Sequence, residues 1–260
     1  MEHYCLEVGA RTPEDVGAAG RGGADRVELY ASPLEGALTP SVGFVATAAE
    51  LKRQEELTLE LVAMIRPRAG DMLYTDLEFA AMERDAETLR AAGADGIMCG
   101  ILTPDGDLDM ARMRRIIAAG GGGTFTLHRA FDGVRSQEET LEQAVELGID
   151  RILTYGYTPD GKIDRDRLEK LADLAAGRIR IMVALGDGFR DSELASLTLA
   201  SASHDIHIVN NYRKVQSRMR FVPGGEVAGD DHLHRDFTMI ERLDEDVVRG
   251  QRRILDSLPR

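Results

Sequence analysis

Apolar and polar residues alternate with a period of two in short stretches of this chain, and with a helical period between those stretches. In Thr124–Arg129, Phe125 and Leu127 share one face of an extended segment while Thr124, Thr126 and His128 share the other. Similar β-rich runs lie at Tyr4–Val8, Arg26–Tyr30, Thr58–Ile65, Gly96–Cys99, Arg151–Thr154, Arg178–Ala184 and Asp205–Val209. Helical patterns fill the intervals, at Pro13–Ala19, Ser41–Gln54, Asp76–Ala92, Asp107–Ala119, Gln137–Leu147, Asp164–Ala175, Asp191–Ala200 and Met239–Leu258. Gly23-Ala24-Asp25-Arg26-Val27, Gly93-Ala94-Asp95-Gly96-Ile97 and Gly148-Ile149-Asp150-Arg151-Ile152 repeat one junction: glycine closes a helix in the left-handed conformation, an Asp marks the turn, and a strand begins. Eight strands alternating with eight helices argue for a (β/α)8 barrel, with a doubly wound open sheet as the alternative that alternation leaves.

The chain has 260 residues, close to the roughly 250 of a typical barrel, and no linker divides it, so 1–260 reads as a single domain. The segment 210–237 is long, carries Pro223-Gly224-Gly225, and ends in Asp230-Asp231-His232-Leu233-His234. A loop of that length is read as a lid or a mobile segment.

Composition removes several function classes. Lys and Arg number 32 against 45 Asp and Glu, a formal charge of -13. No basic run could track a phosphate backbone, so nucleic acid is not an expected partner. The two cysteines, Cys5 and Cys99, form neither a disulfide framework nor a zinc motif. No signal-peptide pattern opens the chain and no apolar run approaches the ~20 residues that span a bilayer, so the expected location is cytoplasmic, without a membrane partner.

Strand parity locates the candidate chemistry. In a barrel alternate residues point inward, and those at the C-terminal strand ends line the site. If Leu6 and Val8 face the helices, Cys5 and Glu7 face the axis; if Val27 and Leu29 face out, Arg26, Glu28 and Tyr30 face in. Leu59, Leu61, Ala63 and Ile65 place Glu60 and Arg66 inside, and the fifth and eighth strands contribute His128 and His207. The mouth therefore collects Glu7, Glu28, Arg66 and His128, with Arg68, Arg129, Asp132 and Asn210 on loops just behind and Thr154 at the end of the sixth strand. Arginines anchor carboxylates or phosphates bidentately, and a carboxylate beside a histidine suits proton transfer. Glu7 or Glu28 is the candidate base and His128 the candidate acid or electrophile; Arg66, Arg68, Arg129, Asp132, Thr154, His207 and Asn210 are candidate binding residues. The bland alternative is interior ion pairing, Glu28 with Arg66 for instance. It fits Arg26 and Glu60, which lie towards the N-terminal ends, and a hydrogen-bonded core histidine accounts for His207.

Other features carry less. The run Gly120-Gly121-Gly122-Gly123 precedes a strand and opens no helix, so it is no phosphate cradle. Gly186-Asp187-Gly188 follows the seventh strand, where barrels bind phosphate, but brings an Asp that repels an anion. The pairs His204/His207 and His232/His234 lack further ligands for a metal site.

Several of these segments together resemble the CutC family, named for copper homeostasis. They are Gly23–Leu29, Gly36-Ala37-Leu38-Thr39-Pro40-Ser41, Ile65-Arg66-Pro67-Arg68-Ala69-Gly70-Asp71, Gly100–Gly106, His128-Arg129-Ala130-Phe131-Asp132 and Arg151–Thr154. The resemblance implies a cytoplasmic, homo-oligomeric TIM barrel, credited with Cu(I) binding or trafficking and attached to no established reaction. Where family members carry a cysteine after Ile-Glu-Leu on the second strand, Tyr30 stands here. A phenol is a poor ligand for Cu(I), which prefers thiolates and thioethers, so no cofactor is expected. The leading expectation is a small anionic metabolite bound, and acted on by acid–base chemistry, at the barrel mouth. The alternative is a non-enzymatic Cu(I)-binding protein dependent on Cys5 or Cys99.

Overall fold

The computed structural model describes residues 3–158, 160, 162–185, 190–201, 203–209, 211–218 and 239–259. Eight parallel strands close into a barrel: β1 (Cys5–Ala10), β2 (Arg26–Leu29), β3 (Glu60–Met64), β4 (Gly96–Cys99), β5 (Thr124–Leu127), β6 (Arg151–Tyr155), β7 (Arg180–Ala184) and β8 (Asp205–Ile208). Pairing of β8 with β1, Cys5 opposite Asp205 and Glu7 opposite His207, makes the closure and excludes the open sheet. Helices α1 (Pro13–Gly22), α2 (Val42–Gln54), α3 (Asp76–Ala91), α4 (Met110–Ala119), α5 (Gln137–Glu146), α6 (Arg165–Ala175), α7 (Leu194–Ser201) and α8 (Glu245–Asp256) alternate with the strands. The chain is a single-domain (β/α)8 barrel.

Local chemistry sets the helix starts. Thr12, Ser41, Thr75, Asp109, Ser136 and Asp164 each accept a hydrogen bond from a backbone N–H of the first turn, satisfying donors that have no partner within the helix. This is why the pattern over Asp107–Ala119 starts late as a helix: Asp109 is the cap, and α4 begins at Met110.

The repeated Asp of the junctions has a specific task. Asp25 accepts from the Leu6 N–H at 2.7 Å, Asp95 from Leu61 at 2.8 Å, and Asp150 from Phe125 at 2.7 Å. Each carboxylate, at the start of an even-numbered strand, thus caps an amide near the start of the preceding odd one. Asp150→Ala should cost about 1–3 kcal/mol by leaving the Phe125 N–H unsatisfied. Urea unfolding checks this, and a change near zero would show that water replaces the carboxylate.

The last helix differs from expectation. The apolar pattern over Met239–Leu258 predicts one helix, but Met239–Leu243 forms a strand, β10, paired antiparallel with β9 (Tyr212–Gln216). Asp244 then caps α8, whose buried face is Val248, Gln251 and Leu255. The partner strand lies inside the segment expected to be a loop, and pairing across that distance outweighs the local helical period. Of that segment, Asn210 and residues 219–237 lie outside the described residues.

Apolar side chains separate into two shells, as parity requires. Leu6, Val8, Val27, Leu29, Leu61, Ile65, Ile97, Phe125, Ile152 and Ile206 pack against the helices in the larger one. The barrel interior holds a small cluster of Tyr30, Val62, Met64, Met98, Leu153, Met182 and Ala184. No helix among the described residues is long and apolar enough to cross a membrane.

Candidate active site at the barrel mouth

A buried chain of charges rises through one side of the barrel. Arg26 donates from Nε to Glu7 at 2.9 Å and from Nη2 to Thr126 Oγ1 at 3.2 Å, and its Nη1 pairs with Glu60. Glu7 turns its other oxygen to His207 Nδ1 at 2.8 Å, and His207 Nε2 lies 3.4 Å from Glu28. The register brings this about, because Glu7 sits opposite Arg26 on one neighbouring strand and opposite His207 on the other.

This chain shifts three pKa values. Burial opposes ionisation of Glu7, but Arg26 and His207 outweigh it and hold the carboxyl at about 2. Burial likewise disfavours the His207 imidazolium, yet the hydrogen bond to Glu7 and the charges of Glu28 and Glu7 raise its pKa. Burial raises Glu28 above the usual carboxylate range, although His207 and Arg129 pull it down. Neighbouring carboxyls are thus pushed in opposite directions, an arrangement that can hold one as a fixed charge while the other exchanges a proton.

Above this chain opens a cavity of about 740 Å³ lined by Glu28, His207, His128, Arg129 and Arg66 among others. The His128 ring fits because residue 100 is glycine: a Cβ there would stand 2.7 Å from His128 Nδ1 and 2.6 Å from the Ala130 Cβ. His128 Nδ1 accepts from the Ala130 N–H at 3.1 Å, which leaves the proton of the neutral ring on Nε2. That Nε2 is buried without a partner among the described residues. Burial, reinforced by Arg66 and Arg129, lowers the His128 pKa to about 3, so the ring is a neutral donor at pH 7. Arg129 lies over the Tyr155 ring, 4.2 Å from its centroid, a cation–π contact that fixes the guanidinium at the rim.

The other expected residues fall elsewhere. Glu7 lies beneath the cavity rather than on its wall. Arg66 does not pair with Glu28; its guanidinium donates to the carbonyls of Glu35, Gly36, Ala37 and Gly70. Arg68 lies outside the cavity, bound to Glu78 at 2.7 Å and Asp71 at 3.0 Å. Asp132 and Thr154 also face away from it: Asp132 accepts from Thr154 Oγ1 and, at 3.0 Å, from the Tyr155 N–H. The pair ties the loop after β5 to β6 and so positions Tyr155 beneath Arg129. Asn210, the Gly186-Asp187-Gly188 turn, His232 and His234 lie outside the described residues.

Sequence reasoning missed the hairpin's contribution. Tyr212, Lys214, Met239, Ile240 and Glu241 line the cavity from β9 and β10. Arg11, also on the wall, pairs with Glu241 at 2.9 Å and lies over the Tyr212 ring. Reading Met239–Leu243 as helix concealed this wall, and no local period marks Tyr212–Gln216 as a strand.

The donor set does not fit a thiolate copper site. Cys5 points into the barrel, whereas Cys99 packs in the outer shell between strands and helices. Burial raises both thiols, Cys99 to about 12, while Cu(I) binding calls for thiolates. His128 would have to surrender the Nε2 proton that its Nδ1 contact dictates. Thioethers of Met64, Met72 and Met239 reach the cavity, and no metal-holding group of three His, Cys, Asp or Glu occurs among the described residues.

The molecule is thus a (β/α)8 barrel with a charged, half-apolar cavity at the C-terminal mouth, the place where this fold carries ligands and chemistry. A sequence model described as the CutC family matches residues 4–211. The CutC family protein of Chromobacterium violaceum is 38% identical over 255 residues, covering 97% of this chain and 98% of its own. That of Bacteroides thetaiotaomicron is 36% identical over 247 residues, covering 94% and 96%. The solved structure of CutC from Streptococcus agalactiae superposes with a TM-score of 0.71 at 28% identity, over 79% of this chain and 98% of that one. The chain belongs to the CutC family.

Proposed function

We propose that the protein binds a small anionic metabolite at the barrel mouth and moves a proton on it. The observation that carries this reading is a pair of cavity arginines without a direct carboxylate partner among the described residues. Arg66 and Arg129 both face the cavity, and neither has a carboxylate at ion-pair distance among the described residues. Arg66 Nε and His128 Nε2 are, in addition, buried donors without partners among the described residues, and donors in that state stabilise an incoming acceptor more than solvated ones do. A chain of net charge -13 that gathers these cations in one cavity is suited to an anion there.

In this reading Arg129 and the Nε of Arg66 hold the anionic group. Glu28, with its raised pKa, accepts a proton from the carbon beside a carbonyl or carboxyl. His128 donates its Nε2–H to the oxygen on which charge develops, and neutrality lets it do so as a matched donor. Glu7 acts through His207, holding the ring where it can compensate the Glu28 charge.

Pyruvate serves as the probe. Arg129→Met and His128→Ala should each weaken its binding by about tenfold, a loss of roughly 1.4 kcal/mol, read by calorimetry. Glu28→Gln should retain binding but abolish enzyme-dependent deuterium exchange at the pyruvate methyl in D2O, followed by NMR. Unchanged affinity in both variants would sink the assignment. On this proposal Cu(I) is not the ligand, so anaerobic Cu(I) titration should give the same curve for wild type and for the Cys5→Ser/Cys99→Ser protein.

A further inference from the structure

The cavity is divided by chemistry, and the division describes the rest of the ligand. At the strand ends its polar and charged groups lie on two sides, Glu28 and His207 from β2 and β8, and Arg66, His128 and Arg129 from the ends of β3 and β5, while Arg11, Lys214 and Glu241 stand on the wall towards the β9–β10 pair. Its floor is different. Met64, Leu153 and Ala184 line it, with Val62, Met98 and Met182 packed beneath them. None of those side chains can donate a hydrogen bond, and the thioethers accept only weakly.

The walls are mixed. Tyr30, Tyr155 and Tyr212 contribute aromatic rings, those of Tyr155 and Tyr212 lying under Arg129 and Arg11, beside Lys214 and Glu241. Tyr30 can do so because residue 9 is glycine: a Cβ there would lie 2.7 Å from the Tyr30 Cε1. At the rim, Leu34 is 89% exposed and Ile240 39% exposed, and both belong to the cavity lining.

We infer that the ligand is an amphipathic carboxylate, with an acid group held by Arg66 and Arg129 and an apolar body seated on the Met64–Leu153–Ala184 floor. The inference rests on the anion reading above and adds the class of molecule. A polyhydroxylated sugar phosphate would lose the hydration of its hydroxyls against this floor and recover few hydrogen bonds, an unfavourable exchange. An aliphatic chain or an aryl ring gains about fourfold in affinity for each methylene it buries. Planar guanidinium groups also match a carboxylate's two oxygens.

The test compares 3-phenylpropionate, propionate and ribose 5-phosphate by calorimetry on the full chain. 3-Phenylpropionate should bind at least about tenfold more tightly than propionate, and more tightly than ribose 5-phosphate. Met64→Gln, which keeps the side-chain length, should reduce that advantage about fivefold or more. Equal binding of the two carboxylates would overturn the amphipathic class and leave the anion reading standing. Tighter binding of ribose 5-phosphate would do the same. Absence of binding by all three, with Arg129→Met indistinguishable from wild type, would overturn both. The wild-type comparison decides the matter even if the variant fails to fold.

Discussion

Arg26→Met should lower the stability of the barrel by about 3–5 kcal/mol, because it removes one partner from a buried ion network. Arg26 is 2% exposed and Glu7 fully buried, so solvent cannot replace the lost guanidinium. The Glu7 carboxylate would keep only His207 as a charged partner, and Thr126 and Glu60 would lose theirs as well. Methionine fills much of the space, which confines the loss to charge and hydrogen bonding. The triple variant Arg26→Met/Glu7→Gln/Glu60→Gln should recover most of the deficit, since removing all the charges also removes the cost of burying them. Urea unfolding gives both differences. A loss below about 1 kcal/mol for Arg26→Met would mean that water enters the barrel floor and screens the carboxylates.

The same network fixes how stability varies with pH. Glu7 titrates at about 2 in the fold against an ordinary 4.5, so its contribution is present above pH 4.5 and is lost as pH falls towards 2. His128 works in the same direction: lowered from 6.5 to about 3, it destabilises the fold progressively as pH drops through that interval, because only the unfolded ring takes up the proton. His207 has the opposite sign. Raised above 6.5, it stabilises fully below pH 6.5 and ceases to do so as pH climbs through its folded value. Unfolding midpoints measured from pH 2 to 9 should therefore fall on both sides, with the acid limb steeper, and Glu7→Gln should flatten the part below pH 4.5. An acid limb unaltered by Glu7→Gln would exclude Glu7 as its source.

Parity explains which parts of this site could be read in the sequence. While the backbone stays in a strand, alternation dictates direction, and Leu6, Val8, Val27 and Leu29 were enough to turn Glu7, Glu28 and Arg26 inward. His207, which a core role would also explain, is the link between Glu7 and Glu28. Beyond the strand ends the rule lapses. Arg66 and Arg68 share a parity, but β3 ends at Met64, and the loop turns Arg68 towards Asp71 and Glu78. Thr154 lies between Leu153 and Tyr155, both cavity residues, so alternation alone sends it outward to Asp132. The hairpin wall was hidden for a different reason. Strand β9 is specified by a partner more than twenty positions away in sequence, and no local period carries that information.

Arg66→Met should remove a structural clasp and a ligand contact together. The Arg66 Nη1 serves the carbonyls of Glu35 at 3.3 Å, Gly36 at 2.5 Å and Ala37 at 3.4 Å, and its Nη2 serves Gly70 at 3.0 Å. The loop it holds contains left-handed backbone at Ser32 (φ 51°), Gly36 (φ 81°) and Ala37 (φ 69°). For the two non-glycine residues that conformation costs roughly 1–2 kcal/mol each, so the loop depends on outside contacts. Below it, reciprocal hydrogen bonds join Ala31 and Leu38 at 2.9 and 2.8 Å, which limits the opening to 32–37. The expected result is a stability loss of about 2–3 kcal/mol, faster amide exchange confined to 32–37, and 3-phenylpropionate affinity reduced at least about tenfold. Arg66→Lys should not rescue the exchange, because an ammonium on a single stem lacks the fork that reaches both the loop and Gly70. Hydrogen exchange read by mass spectrometry separates the two roles. Affinity lost with exchange unchanged would make Arg66 a ligand contact alone, and exchange accelerated with affinity unchanged would make it a clasp alone.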